Sequence, residues 1–183
     1  LEMLNEAIYC GATAEFGDSV VAIENCGAGI RVSTQSGRTY FAKAVIVTTG
    51  PWISEHLSAD LEGCLKPCQV PVYWFKPKKG SETLFSLDRF PVFLYEYPDG
   101  ALLYGVPSII SSEPGVKIGF HNRQQMPATP DWRTTSVNRT HLEEISRTIE
   151  SIFSDLESST IGAKNCFYTM SLDESFLIGK SHT

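Results

Sequence analysis

Val116-Lys117-Ile118-Gly119-Phe120-His121 is the stretch on which the fold turns. Side chains of a strand alternate between faces, so Val116, Ile118 and Phe120 share an apolar side while Lys117, Gly119 and His121 share the other. The first side belongs in a core. The second sets a cation and an imidazole on either side of a glycine, with open space between them, a fitting floor for a small anionic or redox-active ligand. An ordinary half-exposed strand, with Lys117 and His121 in water, has the same alternation. Either way the neighbours should be antiparallel, because such sheets commonly keep one face wet.

Those neighbours lie on both sides in the sequence. Gln69-Val-Pro-Val-Tyr-Trp-Phe75 and Pro91-Val-Phe-Leu-Tyr-Glu-Tyr97 are aromatic, β-rich runs, the second closed by the turn Pro98-Asp99-Gly100. Ala101 to Gly105 continues as a further strand. A helix is expected from Thr140, where Thr140-x-x-Glu143 has the form of a capping box. Leu142, Ile145, Ile149, Ile152, Phe153 and Leu156 would line its inner face. Beyond it, Cys166-Phe-Tyr-Thr169 reads as a strand with Cys166 and Tyr168 on one side. Residues 63–160 are thus expected to be an antiparallel-sheet domain with one long helix.

The upstream third has another texture. Leu1, Leu4 and Ile8 mark a short helix ending at Cys10-Gly11. Val20–Ile23, Ile30–Val32 and Thr39–Phe41, separated by turn residues, make a β-meander. Ala44 to Gly50 is apolar without alternation, as in a strand covered on both faces. A helix is expected after it, with Pro51 in its first turn. Residues 1–62 therefore read as part of an α/β lobe, with 161–183 returning to it, and the fold class is α+β. The opening Leu1–Glu6 reads as the middle of a helix, which suggests that the natural chain begins upstream.

Composition removes several functions. A net charge of −6 argues against nucleic acid and against an anionic membrane surface, and no apolar run approaches the ~20 residues that span a bilayer. Five cysteines, an odd set, fit a reducing compartment and a cytoplasmic location. Cys64-x3-Cys68 resembles half a zinc site, but Pro67 intervenes and no second pair follows, so no metal is expected. Cys166 suits either a nucleophile or a buried structural thiol, and Tyr104 at a strand end is as well explained by packing. His56, His141 and His182 receive no role. Gly27-Ala28-Gly29 is no phosphate loop, since no strand-to-helix turn surrounds it.

Five segments in order resemble the group of flavin enzymes that includes sarcosine oxidase, N-methyltryptophan oxidase and pipecolate oxidase. They are Ala42–Trp52, Tyr104-Gly-Val-Pro107, Gly115–His121, Val137-Asn-Arg139 and Cys166-Phe-Tyr-Thr-Met-Ser-Leu-Asp-Glu-Ser-Phe176. The last is the most specific. The resemblance implies FAD as cofactor, attached covalently through Cys166, and a small amine or amino-acid substrate. It further implies that Lys117 promotes the reaction of reduced flavin with oxygen, and that His121 and Tyr104 line the substrate pocket with Tyr168 beside it. Val20, Thr49, Gly50 and Trp52 would line the FAD pocket. The family's Gly-x-Gly-x-x-Gly unit, the arginine-bearing segment after it and the region beyond Asp-Glu-x-Phe have no counterpart here. A piece of such an oxidase, inactive alone, is therefore expected. The alternative is a non-catalytic module for ligand binding or subunit association, including a homodimer.

Overall fold

The computed structural model describes residues 2–56, 61, 63–108, 115–127, 129 and 136–179. The chain divides into two compact units, Leu1–Thr48 and Thr49–Thr183. The division falls ahead of the boundary expected near residue 62.

The first unit opens with helix α1 (Glu2–Tyr9), ended at Gly11, whose φ of +96° suits glycine and few other residues. Strands β1 (Val20–Asn25), β2 (Ile30–Thr34) and β3 (Thr39–Ala42) form the antiparallel meander. Asp18 braces the second turn, accepting from the Ser36 hydroxyl at 2.6 Å and the Ser36 amide at 2.9 Å. The apolar stretch after β3 departs from expectation. Ala44–Thr49 is not a strand, and Ile46 is 88% exposed. A central strand needs a partner for its N–H and C=O groups on each edge, and among the described residues none pairs with this one.

In the second unit, the helix expected at Pro51 is a 3-10 helix, Gly50–Glu55. Among the described residues, six strands, one α-helix and a short 3-10 helix (Glu82–Phe85) follow: β4 (Leu65–Pro77), β5 (Phe93–Glu96), β6 (Leu102–Val106), β7 (Val116–Phe120), β8 (Met126–Pro127), α2 (Arg139–Ile152) and β9 (Leu156–Ser171). The sheet is antiparallel in the order β5-β6-β7-β4, and β4 takes β9 along its other edge. β8 pairs with Cys68 and Gln69, whereas β7 pairs from Tyr73 onward. Pro71 lies in the interval between them, where the absent N–H leaves no ladder bond unmade. Residues from 161 onward, expected to leave for the other lobe, belong up to Ser171 to β9 and pair with β4.

The core lies on one side of this sheet. Tyr73, Phe75, Leu103, Val116, Ile118 and Phe120 are fully buried against Ile145 and Ile149 of α2, as the alternation of β7 and the period of α2 require. Ile152 escapes this face, 43% exposed near the helix end. The cap also differs from expectation. Asn138, extended at φ −62°, accepts from the Thr140 amide at 2.8 Å, so the helix starts two residues before the capping box. Glu143, which the box would need, instead pairs with Arg139 at 2.9 Å. No helix among the described residues is long and apolar enough to cross a membrane.

Candidate active site

The face of the sheet turned away from α2 collects most of the residues singled out by sequence. Lys117 lies opposite Trp74, Tyr104 opposite Gly119, Cys166 opposite Val70 and Tyr168 opposite Cys68. Directly opposed residues of an antiparallel pair share a side, so all of these point the same way. His121 follows one residue past β7 and is exposed, while Lys117, Tyr104, Cys166 and Tyr168 are half-buried. The 3-10 helix carrying Gly50 and Trp52, with Thr49 before it, packs against β4 and β9. Val20 opens β1 and belongs to the first unit.

Gly119 does not leave open space. A Cβ built there would stand 3.2 Å from the Tyr104 hydroxyl and 3.2 Å from the Pro71 carbonyl oxygen. Tyr104, its cross-strand partner, lays its ring over the glycine, which covers a spot that would otherwise be a hole. On the core face Phe93 covers Gly105 in the same manner.

Three polar groups gather across the site. Tyr168 meets His121 Nδ1 at 3.3 Å, the two rings 5.3 Å apart and tilted by 46°, and Tyr104 is near enough to perturb the Tyr168 phenol. Burial holds the Tyr104 phenol far above its ordinary range, reinforced by Tyr168 and Cys166. Tyr168 is raised too, first by burial, with the nearby Tyr104 hydroxyl acting the other way. Both phenols therefore stay protonated at neutral pH and serve as hydrogen-bond donors or proton conduits, not as anions.

All five cysteines are free. Among the described residues no cluster of three or more His, Cys, Asp or Glu side chains comes together. The hydroxyl of Thr49 is buried with no hydrogen-bond partner among them. Such an atom is costly unless something satisfies it.

Residues 2–183 match the family model described as FAD dependent oxidoreductase. The chain belongs to that family. It is similar to the monomeric sarcosine oxidase of Streptomyces avermitilis, 27% identical over 170 residues, covering 93% of this chain and 43% of that protein. It is also similar to the human peroxisomal sarcosine oxidase (29% identical, 98% of this chain and 46% of that protein). The N-methyl-L-tryptophan oxidase of Yersinia pestis is 30% identical, with 96% and 45% covered. The chain thus spans under half the length of these relatives. Among solved structures it resembles NikD, an amino acid oxidase of nikkomycin biosynthesis (TM-score 0.70, 18% identity, 94% of this chain and 44% of that one). It likewise resembles the glycine oxidase of Geobacillus kaustophilus (TM-score 0.63, 19% identity, 96% and 42%). At these identities the structures speak for the fold: this α+β chain carries the mixed helix-and-sheet architecture of the FAD oxidases.

The residues present fit the family's cofactor where they can be compared. A free thiol, a lysine, two half-buried phenols and an imidazole line one sheet face, and Thr49 offers an unsatisfied hydroxyl on the segment packed against that sheet. Cys166, Thr49, Gly50 and Trp52 would hold FAD, whose isoalloxazine ring supplies a two-electron acceptor when bound. Sequence gives no warning of one feature. The run Asn122-Arg123-Gln124-Gln125 has no period, yet its side chains are hydrogen-bonded throughout. Four consecutive polar side chains, starting two residues past the end of β7, are the only signal it leaves.

Proposed function

We propose that this chain forms the substrate and flavin-contacting face of an FAD-dependent amine oxidase. The reaction is that of a secondary amine or N-methyl amino acid with oxygen, giving an imine and hydrogen peroxide. The observation that carries this reading is the gathering of Lys117, Tyr104, Tyr168, His121 and Cys166 on one side of the sheet in a member of this family. The relatives named as sarcosine and N-methyl-L-tryptophan oxidases support the substrate class.

Each residue has a task. His121 Nδ1, with the Tyr168 hydroxyl as partner, takes the proton that an ammonium substrate sheds before its nitrogen lone pair is free. Tyr104 lies over Gly119 and closes the floor of the pocket. Lys117 keeps a fixed positive charge, its stem alongside Trp74, where negative charge develops as oxygen is reduced. Cys166 is the attachment point through its sulfur. Free thiols throughout support a reducing compartment, the cytosol.

The test is an absorbance spectrum of the purified chain incubated with FAD, before and after acid denaturation. Flavin bands that survive denaturation, and vanish in Cys166→Ser, are expected. A colourless chain that takes up no FAD would overturn the reading for this chain. One observation favours a second reading, a module for subunit association: Phe41, Ile46, Phe176 and Ile178 are 75%, 88%, 95% and 93% exposed. Size-exclusion chromatography separates the two, since a homodimer that takes up no flavin is expected only of the module.

A further inference from the structure

Strand β7 ends at Phe120, and the five residues after it have no regular structure. An irregular segment that presents a site residue must be held by something other than a ladder. Here every side chain is engaged. Asn122 accepts from the Leu102 amide at 2.9 Å and donates to the Gly100 carbonyl at 3.0 Å, so it prolongs the β6–β7 ladder with a side chain in place of backbone. Arg123 pairs with Asp99 and lies over the rings of Tyr97 and Phe120, 5.7 and 5.2 Å from their centroids. Gln124 is 1% exposed. It accepts from the buried Tyr73 hydroxyl at 2.8 Å and donates to the His141 carbonyl and the Glu144 carboxylate, each at 2.9 Å. Those last two bonds fasten the segment to α2.

The backbone of His121 is held at both ends. Its N–H donates to the Leu102 carbonyl at 2.7 Å, and its own carbonyl accepts from Gln125 Nε2, also at 2.7 Å. With both groups fixed, the imidazole has only its two side-chain torsions left, and one setting of them brings Nδ1 to Tyr168.

We propose that Gln125, with Gln124 as its anchor to α2, is a positioning residue that sets His121 against Tyr168. The assignment rests on the reading above that His121 faces the substrate. Its geometry is independent of flavin, so the two can fail separately. A positioning role has a signature that general packing lacks: loss of the Gln125 amide should free His121 while leaving the other histidines as they were.

The experiment is carbethoxylation of the chain with diethyl pyrocarbonate, followed by peptide mapping. The rate at His121 is read against His56 and His141 as internal references. Tyr168→Phe calibrates the assay by removing the imidazole's partner. Gln125→Met, nearly isosteric but without a donor, should speed modification of His121 by about fivefold, the population effect of one lost hydrogen bond. Gln125→Ala should do the same. Gln124→Met, which cuts the link to α2, should raise the His121 rate in the same direction, read against His56 alone because Gln124 also holds the His141 carbonyl. An unchanged His121 rate in both Gln125 variants would overturn the proposal, and so would a rise shared equally by His56 and His141. Neither result would touch the absorbance test of flavin binding.

Discussion

Replacing Gly105 by alanine should reveal how tightly the core side of the sheet is built. A Cβ at this position would sit 2.2 Å from Phe93 Cε1, 2.7 Å from Cζ and 3.2 Å from Cδ1. Carbon atoms rest about 3.5–4.0 Å apart, so the ring must withdraw by more than about 1 Å. It has little room, because its centroid is 5.7 Å from Phe90 and 5.8 Å from Phe153. Overpacking of this kind costs about 1–3 kcal/mol, and disturbing an aromatic pair adds about 0.5–1.5 kcal/mol. Against that, alanine in extended backbone recovers about 0.4–1 kcal/mol through the unfolded chain. The net expectation is a loss of about 2 kcal/mol. Gly119→Ala is the comparator. Its Cβ meets neighbours at 3.2 Å, so a shift of a few tenths of an ångström suffices and the loss should stay below about 1 kcal/mol. Urea unfolding followed by tryptophan fluorescence supplies the numbers, and a double-mutant cycle isolates the cause. In a Phe93→Ala background, Gly105→Ala should be neutral or slightly stabilising. An equal loss in both backgrounds would refute the reasoning, since the clash would then not be with Phe93.

Three further outcomes follow from the same geometry. Tyr73 and Tyr104 are pushed up chiefly by burial, whereas their phenols in the unfolded chain lose the proton near pH 10. Their contribution to stability is complete below about pH 10 and falls as pH rises beyond it; phenolate absorbance from both should appear together with unfolding, not before it. Asp18 is held below the ordinary carboxylate range by the Ser36 hydroxyl and amide. Its contribution is present above the unfolded value of 3.8 and lost as pH falls through the lowered folded one, so Asp18→Asn should flatten the acid limb of first-unit stability measured by hydrogen exchange at Ser36. Asn138→Ala should cost about 1 kcal/mol in thermal or urea unfolding, whereas Thr140→Ala should cost little, because Asn138 holds the cap.

What the sequence revealed and what it hid have separate physical causes. Alternation in Val116–Phe120 assigns both faces of β7 correctly, because burial on one side of an antiparallel sheet leaves a period of two. The period of Leu142, Ile145 and Ile149 places α2 against that core for the same kind of reason. The candidate site residues stand out through family resemblance more than through pattern, since a Lys, His or Tyr on a strand looks the same in water as in a pocket. Ala44–Gly50 misled because an apolar run states only that burial is available to it, and pairing partners are not local information. Asn138 was hidden behind a well-formed capping box, since any of several polar residues can end a helix and only backbone geometry decides among them. Gln124 and Gln125 left no period at all, because side-chain hydrogen bonds to distant carbonyls follow tertiary positions.

The glycine under Tyr104 explains how that ring lies down on the sheet. Tyr104 is on β6 and Tyr168 on β9, with β7 and β4 between them. Tyr104 stands opposite Gly119, whereas Tyr168 stands opposite Cys68, farther along β4. Tyr104 can lie down across β7 because Gly119 has no side chain in its path, its hydroxyl 3.2 Å from where a Cβ would stand. A larger residue at 119 would lift Tyr104 off the sheet while leaving the Tyr168–His121 contact in place. Gly119→Val should thus displace Tyr104 alone: carbethoxylation of His121 should stay slow while Tyr104 becomes accessible to nitration. If His121 also became reactive, Tyr104 would be the brace that orients Tyr168, and the three groups would act as one unit.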